Sequence, residues 1–191
     1  MEKVKIVLDA DVLIHFAKAE RLSMLPTILP EYDHVMLSAV YEEVKTIRQQ
    51  LDNQIQLLRN IKLEQFAPTG QMRREYALLL SRFGKGESAC MAYCRFTNNV
   101  IGSSNLSDIK EYCEAQQIVY LTSLDFLNHA YARGKMTAEE CHEFITTVNA
   151  KGSKMPLVDI RTYVPNAILS IDSEPHRLGK ANDTTTTNIH S

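Results

Sequence analysis

Short apolar runs alternate with longer segments of helical periodicity along most of this chain. Four such runs, at residues 4–8, 34–37, 99–102 and 118–121, are mostly aliphatic, which is typical of strands buried on both faces. The segments between them repeat apolar residues at helical spacing. This alternation predicts an α/β fold of three layers, α/β/α, around a central parallel sheet of about four to five strands.

The helices are predicted from their apolar spacing and from the residues that begin and end them. A long helix over residues 39–60 follows Ser38, a residue that can cap it. Residues 122–125 and 137–140 fit the capping box, in which side chains satisfy free N–H groups of the first helical turn. Further helices are predicted over 72–83, 87–96, 106–117 and 123–133, a short strand or extended link over 61–66, and a final extended piece over 157–164.

The length and composition fit one globular domain followed by a tail. The 191 residues are 45% hydrophobic and 23% charged, with a net charge of −2, so a nucleic-acid partner would need a local basic patch. The alternation of strands and helices ends near residue 156, which predicts one domain over residues 1–156 and an extension over 157–191. The extension turns polar from about residue 173, which predicts disorder there.

No segment is predicted to target or span a membrane. Charged residues interrupt the first apolar run, and no run approaches the roughly 20 residues that a transmembrane helix needs. The four cysteines form no CxxC pair, so buried reduced thiols are their expected state. These features predict a cytoplasmic protein that has no membrane partner.

Acidic side chains follow several predicted strands or begin the helices after them. They are Asp9 after the first strand, Glu42 and Glu43 after the second, Glu87 at the start of a later helix, and Asn105 with Asp108 after the third strand. For any one of them a simpler explanation suffices, because an acid in a first helical turn offsets the helix dipole by roughly 0.3–1 kcal/mol. Together at one sheet edge they would repel one another, so we expect a hard cation, Mg²⁺ or Mn²⁺, between them. Such an ion can activate water and neutralise charge on a phosphodiester.

Four short motifs occur in order along the chain. They are IVLDADVLI at residues 6–14, LSAVYEEV at 37–44, GESA at 86–89 and IGSSNLSDI at 101–109. In their order and their strand–helix context these motifs resemble the PIN-domain nucleases, a family found in many bacterial toxin–antitoxin systems. Residues 121–136 also resemble the end of one branch of that family, so the resemblance covers roughly residues 4–156.

The resemblance implies a divalent-metal-dependent endoribonuclease, and further implies an antitoxin partner and a homodimer. In this interpretation Asp9, Glu43, Glu87 and Asp108 are catalytic, and they bind Mg²⁺ or Mn²⁺ together with Asn105. Asn105 departs from the family pattern, which has an acid there. An amide oxygen can still coordinate a metal but adds no charge, so weaker metal binding or lost catalysis remains open.

Further residues near these motifs have less defined roles: Asp11, Glu42, Ser104 and Asp125. Asp11 replaces a small polar residue of the family and is expected to support the ligands or cap a helix. Asp125 could supply the charge that Asn105 lacks, although the capping box is its favoured explanation. The expected phosphate contacts are Lys45, Arg48, Arg73, Arg74, Arg82 and Lys85, although for each of them taken singly a solvated helix face is the preferred explanation.

Two other classes of function stay open. The LDADV segment also resembles the opening motif of haloacid-dehalogenase-type phosphatases, in which Asp9 would be a nucleophile and Asp11 a general acid. The later motifs of that family are not matched, and it predicts a phosphoaspartate that beryllofluoride mimics. Alternatively, a PIN-like fold whose site is inactivated at Asn105 would act as an RNA- or protein-binding module.

Overall fold

The fold is built on a five-stranded parallel sheet, seen in a computed structural model that describes residues 3–165. The strands are β1 (Lys5–Leu8), β2 (Asp33–Leu37), β3 (Lys62–Glu64), β4 (Val100–Gly102) and β5 (Tyr120–Leu121), in the order β3-β2-β1-β4-β5. The α/β class and the parallel sheet are thus confirmed, and the extended link predicted over 61–66 contains β3. The disorder predicted from about residue 173 lies outside the described residues.

Helices connect and cover these strands in an arrangement consistent with three layers, α/β/α. Within residues 3–165 they are α1 (Ala10–Lys18), α2 (Leu25–Ile28), α3 (Ser38–Glu43), α4 (Arg48–Asp52), α5 (Gly70–Leu79), α6 (Lys85–Thr97), α7 (Leu106–Gln116), α8 (Ser123–Ala132) and α9 (Ala138–Ala150). Both predicted capping boxes are present, with Thr122 beginning α8 and Thr137 beginning α9. None of the described helices is long and apolar enough to cross a membrane.

The long helix predicted over residues 39–60 is wrong. Helix α3 ends at Glu43, the backbone of Val44 is extended, and α4 begins only at Arg48 and continues into a π-helical turn. Four of the six apolar positions that suggested one helix are nevertheless buried, namely Val40, Val44, Ile47 and Leu51, whereas Ile55 is partly buried and Leu58 is half exposed. Bending the chain at 44–47 lets α3 and α4 both bury these side chains, and tertiary packing of this kind overrides a weak local preference for helix.

Ser38 does not cap α3, contrary to expectation. Its Oγ accepts a hydrogen bond from the backbone N–H of Phe66 at 3.0 Å, and no side chain caps the start of that helix. The final piece predicted over 157–164 does not join the sheet either and contains a turn at 160–162. Instead Ile160 is buried, and the Tyr163 hydroxyl donates to Asp125 at 3.0 Å.

The core lies on both faces of the central strands. Ile6, Val7 and Leu8 of β1 are fully buried, as the apolar run predicted. On β4, a Cβ at Gly102 would lie 3.0 Å from the Leu8 side chain, so the absence of a side chain permits the close packing of the two strands. All four cysteines are buried free thiols, which confirms their predicted state.

Candidate functional site

The acidic residues meet at the point where the strand order of the sheet reverses. From β1 the chain adds β2 and β3 on one side, then returns to place β4 and β5 on the other. In open α/β sheets the crevice at the carboxyl ends of the strands flanking such a reversal is the usual ligand site. Here those strands are β1 and β4, and the residues that follow them are Asp9 and Ser103.

Asp9 is almost completely buried at this crevice. Its backbone N–H donates to the carbonyl of Gly102 at 2.8 Å, which holds the end of β1 against the end of β4. Its Oδ1 accepts the N–H of Ala10 at 2.8 Å and so caps α1, while its Oδ2 accepts the Ser103 hydroxyl at 3.2 Å. Asp9 is therefore both the N-cap of α1 and a hydrogen-bond partner of the loop that follows β4.

Asp11 lies beside Asp9 and binds the same loop. Its Oδ2 accepts the backbone N–H of Ser104 at 2.7 Å and lies 3.4 Å from the Ser103 hydroxyl. Its Oδ1 accepts the N–H of Val12. Ser103 thus contacts both carboxylates, and together these contacts hold the β4–α7 loop against the start of α1.

Glu87, Asn105 and Asp108 form the other side of the cluster. The side-chain amide of Asn105 donates to Glu87 Oε1 at 3.1 Å and to Asp108 Oδ2 at 2.9 Å. The Asn105 Oδ1 accepts the Ser107 hydroxyl at 2.8 Å, so the amide orientation follows from its partners. Asn105 therefore bridges two carboxylates with its N–H groups and turns its oxygen away from them.

Glu43 reaches the cluster from α3 and is bound to the start of α6. Its two carboxylate oxygens accept the backbone N–H groups of Lys85 at 3.0 Å and Gly86 at 3.1 Å. Gly86 allows this approach, because a Cβ there would lie 2.6 Å from Glu43 Oε2 and 3.2 Å from the Val40 Cα. Glu43 and the neighbouring Glu42 are both exposed, and burial raises the pKa of Tyr76, with smaller effects from the charges of Glu43 and then Glu42.

The electrostatics show that these carboxylates repel one another. Burial raises the pKa of Asp9, and the charge of Asp11 raises it further, with a smaller effect from Glu43. Burial also raises the pKa of Asp11, although hydrogen bonds from the Ser104 and Val12 backbone oppose this. Burial, followed by the charges of Asp9 and Asp108, raises the pKa of Glu87 to about 8. With a pKa of about 8, the Glu87 carboxyl is mostly protonated at pH 7, so the cluster lowers its own repulsion by keeping protons.

The remaining predicted residues lie apart from this cluster or have other partners. Asp125 is fully buried, but its Oδ2 accepts the backbone N–H and the hydroxyl of Thr122, which confirms the capping box. Arg48 stacks on the ring of Tyr41 at 3.6 Å from its centroid, and the Tyr41 hydroxyl donates to Asp52. The other predicted phosphate contacts are exposed: Lys45, Arg73, Arg74, Arg82 and Lys85.

The oxygen atoms of the cluster are of the type that binds a hard cation, but the side chains are not arranged around one such ion. Carboxylate and amide oxygens are the ligands that Mg²⁺ and Mn²⁺ prefer. In residues 3–165, however, no three His, Cys, Asp or Glu side chains are grouped so that they could hold a metal ion. Their oxygens instead accept hydrogen bonds from backbone N–H groups, Ser103 and Asn105. A cation would have to replace some of these donors, so the chemistry fits and the side chains would need to turn.

Two residues that join this region were not singled out in the sequence. Ser123 begins α8, and its Oγ lies 2.9 Å from Ser104 Oγ and 2.9 Å from His15 Nδ1. His15 lies on α1, one turn after Asp11. The signal that could have indicated Ser123 is its position two residues after β5, at the same sheet edge. His15 carried no such signal, because its spacing matches an ordinary buried helix position.

Comparisons with family models, with curated protein sequences and with solved structures found no match to this chain. Any family assignment therefore depends on the short motifs and on the geometry described above.

Proposed function

We propose that this protein is a divalent-metal-dependent endoribonuclease of the PIN type. The observation that carries the proposal is the group of Asp9, Asp11, Glu87 and Asp108 at the β1–β4 crevice, where burial and mutual repulsion raise the pKa of Asp9 and Glu87. Carboxyl groups whose ionised forms are disfavoured in this way lower the stability of the fold as the pH rises, and clusters with such raised pKa values are frequent at functional sites. A divalent cation is the partner that would relieve the repulsion.

Each residue has a separate role in this proposal. Asp9, Glu87 and Asp108 would hold Mg²⁺ or Mn²⁺, and Asn105 would join them through its carbonyl oxygen once its amide group has turned. The bound ion supplies Lewis-acid activation of water and neutralises charge on the phosphodiester. Glu43 holds the first N–H groups of α6 and so places Glu87, while adding negative charge near Asp9.

The substrate and partners belong to the same proposal and are supported by the motif resemblance. RNA is the proposed substrate, and its phosphates would contact the exposed basic side chains of α5 and of the segments around α4 and α6, together with Arg48. An antitoxin protein and a second copy of the chain are the proposed partners. The four buried free thiols support a reducing compartment, which we take to be the cytoplasm.

The test is cleavage of mixed single-stranded and structured RNA with Mn²⁺, Mg²⁺ or EDTA. We expect wild-type protein to cleave with either metal, and the Asp9→Asn variant to lose at least about 100-fold, because the variant removes a charge that holds the ion. Asp159→Asn is the matched control, since Asp159 is an exposed carboxylate paired with Arg161. Equal cleavage by wild type and Asp9→Asn would contradict the proposal.

A second candidate is a binding module with the same fold and an inactive site. The observation that favours it is the Asn105 amide, which donates to Glu87 and Asp108 without any cation. This function predicts RNA binding that is equal in Mn²⁺ and EDTA, with no cleavage in either. Binding measured by fluorescence anisotropy beside the cleavage assay separates the two candidates.

A further inference from the structure

We propose that a hydrogen-bonded chain of His15, Ser123 and Ser104 positions the loop after β4 and thereby presents Asn105 to Glu87 and Asp108. The inference rests on the proposed function for what this loop presents, namely a metal ligand. The positioning itself requires no metal and is tested separately. In this view the three residues act through the loop and do not touch the substrate.

The three hydrogen-bonded side chains come from segments that follow three different strands. His15 lies on α1 after β1, Ser104 follows β4, and Ser123 begins α8 after β5. The His15 Nδ1 lies 2.9 Å from Ser123 Oγ. Ser104 Oγ donates to Ser123 Oγ at 2.9 Å and accepts the backbone N–H of Ser123 at 2.8 Å. The three side chains therefore tie together the carboxyl ends of β1, β4 and β5.

A further contact closes this chain into a ring. The backbone N–H of Ser104 donates to Asp11 Oδ2 at 2.7 Å, and Asp11 precedes His15 by four residues on α1. Residues four apart lie on the same face of a helix, so α1 joins the two ends of the chain. Ser104 is thus held both at its backbone and at its hydroxyl. Asn105, the next residue, is constrained through the backbone it shares with Ser104.

The protonation state of His15 agrees with this arrangement. Burial lowers the pKa of His15 to about 4, with a smaller effect from Lys18, so the imidazole is neutral at pH 7. With the Ser104 hydroxyl donating to Ser123, the Ser123 hydroxyl donates to Nδ1, and the imidazole proton lies on Nε2. Each hydroxyl then donates one hydrogen bond and accepts another.

The test compares variants of the chain with matched controls. Ser123→Ala and His15→Leu remove a link, whereas His15→Asn has nearly the shape of leucine but keeps a hydrogen-bonding atom at the δ position. Ser88→Ala is the control for losing a buried hydroxyl, because Ser88 Oγ has no hydrogen-bond partner within residues 3–165. Amide hydrogen exchange of residues 103–108 is measured in EDTA, with α9 as the internal reference. The Mn²⁺ concentration that gives half the rise in melting temperature is the second readout.

We expect exchange over residues 103–108 to be roughly 10-fold faster in Ser123→Ala and His15→Leu, with α9 unchanged. We also expect the half-saturating Mn²⁺ concentration to rise roughly 10-fold or more, as happens when groups behind metal ligands are removed. His15→Asn and Ser88→Ala should resemble wild type in both readouts.

Wild-type exchange in Ser123→Ala and His15→Leu would overturn the positioning role. Faster exchange with an unchanged Mn²⁺ requirement would overturn the link between this loop and a metal. A wild-type protein whose melting temperature does not respond to Mn²⁺ would count against the proposed function, while the exchange data would still decide whether the ring positions the loop.

Discussion

The two ends of strand β1 carry charged side chains in opposite electrostatic settings. Lys5 begins the strand, and its Nζ lies 2.8 Å from Glu64 Oε1 and 3.2 Å from the Tyr93 hydroxyl. Asp9 follows the strand and faces other carboxylates, among which Asp11 affects it most. Both groups have lost much of their contact with water, but only Lys5 has an opposite charge beside it.

Both pKa values are raised, but this favours the charged form of Lys5 and disfavours the charged form of Asp9. Burial lowers the pKa of Lys5, but hydrogen bonds from Lys5 to Glu64 and Tyr93 outweigh it and leave the pKa above its ordinary value. At Asp9 burial and the neighbouring charge both raise the pKa, so the ionised form is disfavoured. The protein thus stabilises the charge at the start of β1 and destabilises the charge at its end. A structural charge is neutralised within the chain, whereas an uncompensated one is the expected mark of a ligand site.

The largest expected effect comes from breaking the compensated pair. Lys5→Met leaves the partly buried Glu64 carboxylate without its cation, and we expect the free energy of unfolding to fall by about 2–3 kcal/mol. Lys62→Met is the control, because Lys62 makes a similar ion pair with Asp33 but is well exposed. Urea denaturation at pH 7 measures both variants. Equal losses below about 0.5 kcal/mol would show that the Lys5 pair is an ordinary surface pair.

A smaller effect of opposite sign is expected at the acid cluster. The pKa of Glu87 in the folded protein, about 8, is above the ordinary value of 4.5 for a glutamate, so the folded protein binds more protons than the unfolded chain between these pH values and its stability falls as the pH rises. Glu87→Gln removes this contribution. We therefore expect the variant to be more stable than wild type by about 1–2 kcal/mol at pH 8 in EDTA, allowing for partial solvation, with no gain at pH 4.

The measurement is the melting temperature from pH 4 to pH 8 in EDTA. The exposed Glu114→Gln provides the control, because its weak i,i+4 pair with Lys110 should leave the pH profile unchanged. A wild-type profile that is parallel to that of Glu87→Gln at all pH values would contradict the repulsion inferred at the crevice.

The smallest expected effect concerns Asn105, which stands where the PIN-domain pattern has an acid. Asn105→Asp replaces an amide that donates to Glu87 and Asp108 by a carboxylate that repels them. We expect the variant to lose about 1 kcal/mol of stability in EDTA and to gain more stability from Mn²⁺ than wild type does. Thermal unfolding with and without Mn²⁺ measures both changes. The exposed Asn53→Asp controls for the added charge, and a loss that Mn²⁺ does not reverse would sink the assignment of Asn105 as a ligand.

The local features of the fold were readable along the chain. The apolar runs predicted four of the five strands, since a strand buried on both faces needs little more than consecutive apolar side chains. The capping boxes at Thr122 and Thr137 could be predicted because the two residues of each box are only three positions apart in the sequence. The placement of Asp9, Asn105 and Asp108 at one edge followed from parallel strands, whose carboxyl ends must lie together. The strand order that puts β4 beside β1 was not readable.

Contacts between distant residues decided the rest. Whether residues 39–60 form one helix depended on the core available to Val44 and Ile47, and local spacing carries no information about that. The sequence indicated most of the acidic side chains at the crevice, but neither His15 nor Ser123. Only the tertiary structure decided what each oxygen binds: Glu43 meets an N–H 43 residues away, and Ser103 meets Asp9 94 residues away. Hydrogen bonds act over about 3 Å, so their partners are set by how the elements pack and not by their order in the chain.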